Sequence, residues 1–137
     1  MNALTQGIYD YLSTDLPLVA MLASYEGAPA IFTIDPVPGD AVLPYLVSSG
    51  DVADTSFDTK LDLGRRIWRD VRCYATADGD SIPVELIAER VRALLHRHRL
   101  VVAGYGTLVA ECSGPVTRNE QDVYGRIVSV KLIMMEA

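Results

Sequence analysis

The sequence predicts an α+β fold, a mostly antiparallel sheet packed against an amphipathic helix, with an N-terminal helix and a long loop or arm. Three patterns carry that expectation. Residues 84–95 place Val84, Ile87, Ala88, Val91, Leu94 and Leu95 at spacings of three and four, which is one face of a helix. Residues 65–76 and 124–135 alternate with a period of two, as strands buried on one side do. Residues 49–63, rich in Ser, Asp, Gly and Thr, follow neither period and are too many for an ordinary hairpin turn.

In chain order, Leu4, Ile8, Tyr11 and Leu12 share one helical face. Pro17 disfavours helical angles at Leu16, and Asp15 or Ser13 can cap the next turn of the chain, so a helix, a break near Asp15 and a turn are expected. Four prolines between 29 and 44 alternate with β-prone runs at 30–34 and 43–48, and Pro38, Gly39 and Asp40 supply turn chemistry. Because proline cannot donate to a ladder, these two strands belong at sheet edges.

Within 65–76, Ile67, Val71, Cys73 and Ala75 share the core face, while Trp68, Asp70, Arg72 and Tyr74 form a wet or partner-facing side. Ser81 is placed to cap the amphipathic helix, with Pro83 and Glu85 in its first turn. Strands are expected at 100–112 and 124–135, joined by a loop containing Gly114, Pro115 and the polar stretch 117–122. In the last strand Tyr124, Arg126, Val128, Val130, Leu132 and Met134 share one face, and Ile127, Ser129, Lys131 and Ile133 the other.

The 137 residues are 50% hydrophobic and 22% charged, which suits one folded domain over 1–137 with an arm at about 49–63. A net charge of −6 argues against wrapping nucleic acid, which needs a basic footprint. Residues 1–12 carry no basic region ahead of an apolar run and do not read as a secretory signal. The apolar run 100–110 is shorter than a membrane helix and is interrupted by Gly104 and Gly106. Cys73 and Cys112, without paired spacing, read as small buried hydrophobes in a reduced compartment.

No residue set suggests catalysis, a cofactor or a metal. His96 and His98, two apart near a helix end, do not face each other and fit the negative end of the helix dipole better than a metal. Asp51, Asp54, Asp58 and Asp62 do not match the calcium-loop spacing and read as solvated loop charges. The glycines at 104 and 106 lack a phosphate-binding fingerprint, and no serine sits in a nucleophile elbow. Trp68 and Tyr74, with Arg72, are residue types enriched in protein interfaces, and a second core layer explains Trp68 equally well.

Taken in order, the opening helix at 3–12, the strand at 43–47 after its proline-rich approach, the polar loop before Arg65, the strand WRDVRCYA, the amphipathic helix 84–95 and the late strand YGRIVSVKLI resemble the tail-completion proteins of long-tailed phages, which include tail terminators and tail-to-head joining proteins. The resemblance covers nearly the whole chain and is one of layout, not of a catalytic motif. It implies a non-enzymatic α+β subunit of a ring, typically of six copies, that caps the tail tube at the head-proximal end of a virion assembled in a bacterial cytoplasm. The partners implied are other copies of the chain, the tail-tube protein and a head-completion or connector protein, with DNA passing through unbound and no membrane.

As interface residues the sequence offers Asp51, Asp54, Phe57, Asp58, Lys60, Asp62, Arg65, Trp68, Arg72 and Tyr74. The arm is expected to be mobile in the free subunit. Its aspartates are expected to be replaceable by asparagine without loss of folding; they serve either to keep an exposed loop soluble or, for some of them, to line the DNA path. A small non-catalytic ligand-binding or adaptor domain is the alternative reading.

Overall fold

The computed structural model describes residues 1–120 and 122–137, with only the backbone at 107–109. Among the described residues, three helices and eight strands follow one another as α1 (Asn2–Ser13), α2 (Leu16–Met21), β1 (Ser24–Tyr25), β2 (Ala28–Pro29), β3 (Ile31–Phe32), β4 (Tyr45–Val47), β5 (Ala53–Ser56), β6 (Gly64–Thr76), α3 (Ile82–Leu95), β7 (Tyr105–Thr117) and β8 (Val123–Glu136). The expected α+β class holds. β1 and β2 form a small antiparallel pair, and the other six strands form one sheet in the order β3-β4-β6-β8-β7, with β5 also paired to β6.

β6 is the axis of this sheet. One of its edges pairs along its whole length with β8, from Gly64 opposite Met135 to Thr76 opposite Val123. The other edge is shared, with β4 opposite residues 72–74 and β5 opposite residues 65–68. The alternation in the sequence sets the faces. Ile67, Val71 and Cys73 lie beside Leu132, Val128 and Arg126 on the inner face, and all but Arg126 are fully buried. Against them α3 lays Val84, Ile87, Ala88, Val91 and Leu95, and α1 adds Leu4, Ile8 and Leu12 to the same core. Each such fully buried aliphatic side chain contributes about 1.5–3 kcal/mol.

Asp15 ends the break between the first two helices. Its carboxylate accepts from the Leu18 N–H at 3.0 Å and takes both the Nε and Nη2 of Arg90 at 2.9 and 2.7 Å. The cap therefore also ties α2 to α3. Those Arg90 hydrogen bonds, aided by the one from Leu18, hold the carboxyl below its ordinary value.

Three expectations need correction. The strands near residues 30 and 45 pair in parallel, Ile31 opposite Leu46, because the twelve-residue connection is long enough to carry the chain back to the same end. Ser81 stands at the N-cap of α3 but makes no side-chain cap. The Ile82 N–H is satisfied instead by Asp80 Oδ1 at 3.0 Å. Gly114 and Pro115 do not begin a loop, since β7 continues through them to Thr117 as a bulge between Ser113 and Val116. Gly114 has φ of +90°, and a β-carbon there would lie 2.7 Å from the Ile127 carbonyl oxygen, so the bulge requires glycine. Of the expected polar connection 117–122, Gln121 lies outside the described residues.

The stretch 49–63 departs furthest from expectation. Instead of a structureless loop it contains β5 and a closed hairpin into β6. Asp51, just before β5, turns inward to the only fully buried charged side chain among the described residues, Arg69. Asp51 Oδ1 accepts from Arg69 Nε at 3.0 Å, and Nη2 lies 2.9 Å from the same oxygen without hydrogen-bond alignment. Arg69 Nη1 donates to Thr5 Oγ1 at 2.8 Å, and the α-amino group of Met1 donates to Asp51 Oδ2 at 2.8 Å. Asp51 is thus no solvated loop charge.

Removing one member of a buried ion pair leaves the other uncompensated, at a cost of about 3–5 kcal/mol. Asp51→Ala should lower stability by about 3 kcal/mol or more, read as a shift of the urea midpoint. For Asp15, a depressed native pKa means that the unfolded chain takes up the proton first. The stability it supplies is complete above the ordinary carboxyl value of 3.8 and is lost as pH falls through the depressed native value. Asp15→Asn should therefore remove part of the steepness of acid unfolding as pH falls below the ordinary carboxyl value of 3.8, followed by circular dichroism.

Candidate interaction surfaces

The strand alternation that buries one face of the sheet leaves the other half-buried, and among the described residues no helix covers that outer face. Trp68, Asp70, Arg72 and Tyr74 of β6 lie beside Lys131, Ser129, Ile127 and Gly125 of β8. Lys131 Nζ sits 5.7 Å from the centre of the Trp68 ring, and Ser129 donates to Asp70 Oδ1 at 2.8 Å. Toward the β3 edge, Tyr25, Phe32, Tyr45 and Tyr74 form a chain of ring contacts with centroids 5.2, 5.5 and 5.6 Å apart. Burial raises the Tyr45 and Tyr74 hydroxyl pKa values.

Arg72 crosses this face to pair with Asp35 at 2.9 Å, and its Nη1 donates to the Tyr74 hydroxyl at 3.3 Å. Beside it opens a cleft of about 310 Å³ whose wall also carries Asp51, Asp70, Arg118 and Glu120. With Asp51 paired to Arg69, three carboxylates face two guanidiniums across it. Among the described residues, no three or more His, Cys, Asp or Glu side chains are placed to hold a metal together.

The hairpin between β5 and β6 is the second surface. At its base Arg65 Nε donates to Asp54 Oδ1 at 3.1 Å and Nη1 donates to the Tyr105 hydroxyl at 3.4 Å. The Arg65 guanidinium holds the Asp54 carboxyl below its ordinary value. Phe57 lies under Arg66, whose guanidinium carbon is 5.0 Å from the ring centre. The tip closes on itself, Phe57 N–H to the Gly64 carbonyl at 2.9 Å, Thr59 N–H to the Asp62 carbonyl at 2.8 Å and Gly64 N–H to Asp58 Oδ1 at 3.0 Å. Leu61 stands at its end, 94% exposed.

The third surface is the outer edge of β7, which α3 seals. The Arg97 N–H donates to the Ala110 carbonyl at 2.6 Å, the Cys112 N–H donates to His96 Nδ1 at 3.0 Å, and Arg92 Nη1 donates to the Gly114 carbonyl at 2.5 Å. Backbone groups at three alternate residues, which a free edge would offer to another strand, are taken. His96 is a strand-edge acceptor here, and His98 stacks on Tyr11 with ring centres 4.0 Å apart and planes 4° from parallel.

The ten residues offered as an interface therefore fall in three places. Trp68, Arg72 and Tyr74 share the outer face as their alternation implied. Phe57, Asp58, Lys60 and Asp62 belong to the hairpin, with Asp54 and Arg65 paired at its base. Asp51 faces inward to Arg69, so Asp51 and Asp54 are engaged within the fold and are not free carboxylates. The sealing of β7 was missed because it depends on the helix end meeting a strand ten or more residues further on. The one local sign was Arg92 in the last turn of an otherwise amphipathic helix, with His96 and Arg97 directly after it.

No family model matches the chain, and no curated protein matches it. Among solved structures, it is similar over 99% of its length, and over 96% of the other chain, to a chain of the virion of a native gene transfer agent particle, with a TM-score of 0.76 at 19% sequence identity. That likeness shows a shared fold.

The sealed edge can be tested directly. Arg92→Ala and His96→Ala should each lower stability by about 1 kcal/mol, as lost hydrogen bonds do. The double variant should self-associate through β7 at concentrations where the parent does not, as measured by sedimentation velocity.

Proposed function

We propose that this chain is a non-enzymatic structural subunit of a phage-like particle, assembling with copies of itself into a ring that terminates the tail tube and presents the surface for head-tail joining. The observation that carries the proposal is the likeness of the whole chain, end to end, to a chain of a gene transfer agent virion. The resemblance to tail-completion proteins in the order of the elements supports the narrower role and a ring of six.

The surfaces suit such a role. The half-buried outer sheet face presents Trp68 and Arg72, residue types enriched in interface cores, with Tyr74 buried beneath Arg72. The two edges of the sheet differ, one sealed by α3 and the other broken into the short strands β3 and β5. Two unlike sides are what a head-to-tail contact requires, and such contacts close into rings when the rotation permits. The net negative charge fits DNA passing through without being held.

Mass photometry and negative-stain electron microscopy of the purified chain test this. Rings, of six copies, are expected at high concentration or on added tail tubes. A monomer that persists under both conditions and never caps a tube would overturn the proposal.

A further inference from the structure

Leu61 and a pocket elsewhere on the chain are matched in polarity and charge. Leu61 projects from the tip of the hairpin, 94% exposed, in the sequence Asp58-Thr59-Lys60-Leu61-Asp62. Nothing within the fold requires it there, since the tip is closed by backbone and aspartate hydrogen bonds. An apolar side chain so placed gains by burial only against another surface.

The pocket, of about 320 Å³, lies between α1 and the segment after α3, lined by Gly7, Asp10, Tyr11, His98 and Val101. The stacked Tyr11 and His98 rings form one wall, and Val101, 88% exposed, forms the lip. Gly7 lets the backbone at Val101 lie directly against α1, because a β-carbon there would lie 2.6 Å from the Val101 carbonyl oxygen. Arg97 and Arg99 flank His98, both exposed, and neither side chain has an ion-pair partner among the described residues. The one acid of the pocket is Asp10, exposed and hydrogen-bonded to Gln6 at 2.7 Å.

The geometry points to a contact between copies of this chain, in which the hairpin tip of one seats Leu61 in the α1 pocket of the next. The charges pair in the same docking. Lys60, the only base of the tip, meets Asp10, and Asp58 and Asp62 meet the unpartnered Arg97 and Arg99. Opposite charges on both sides of an apolar anchor fix register as well as affinity. Knob and pocket are different parts of one surface, so the contact is head to tail and every copy offers both halves. This inference rests on the ring reading and names the contact that would build the ring.

Two preparations, one carrying Leu61→Cys and the other Val101→Cys, are mixed under a mild oxidant. The native thiols do not interfere, because burial pushes Cys73 up to about 12 and Cys112 up to about 11. A cross-linked pair should form in the mixture and far less in either preparation alone. In a second arm, Lys60→Glu and Asp10→Lys should each raise the concentration needed for assembly by roughly tenfold, and the two together in one chain should restore it. Both sites are exposed, and circular dichroism establishes that each variant folds. Parent rings without the mixed cross-link, and with charge variants that assemble unchanged, would overturn the tip contact and leave the ring. A cross-link without closed rings would keep the contact and overturn the ring, and the absence of both would overturn both.

Discussion

The buried pair of Arg69 and Asp51 is the constraint on which much of the arrangement depends. A guanidinium with no exposed surface must have a counter-charge, and the chain supplies it from the segment between β4 and β5. That requirement turns Asp51 inward in the gap between the two strands. β4 and β5 can then pair with different parts of the same edge, with the Val52 N–H returning to the Trp68 carbonyl at 2.7 Å. Without the pair, the hairpin would begin from an unanchored loop. With it, the base of the hairpin is tied to the core, and Thr5 brings α1 into the same cluster.

Much of the fold was legible because it rests on periodicity. The faces of β6 and β8, the buried stripe of α3 and the break at Asp15 all come from local spacing, and the structure has them. What escaped were features that join distant residues. Asp51 looks like any other aspartate in a polar run, and only its position opposite Arg69 makes it internal. The parallel pairing of β3 with β4 is a matter of where a twelve-residue connection returns, which composition does not fix. The continuation of β7 past Gly114 and Pro115 shows the limit of turn residues as punctuation, since the same glycine that can end a strand can instead carry a bulge.

The candidate surfaces divide in the same way. Trp68, Arg72 and Tyr74 were readable as an outward set from alternation alone. The pocket beside α1 was not, because Gly7, Asp10, Tyr11, His98 and Val101 come from two segments nearly ninety residues apart in the chain. In the sequence His98 stands out only beside its neighbour His96. In the structure the two serve different elements, one stacking on α1 and the other bonded to β7.

The hairpin is an unbroken extension of β6, and this has a mechanical consequence. β6 runs from the hairpin across the sheet, hydrogen-bonded to β8 from Gly64 to Thr76. A pull on the tip along that strand is borne by the whole ladder in shear, where many hydrogen bonds must fail together. The same pull across the strand would peel them one by one. A tether attached at the tip is therefore stiff and strong along β6 and weak at right angles to it, so the direction of tension decides whether the subunit holds its shape.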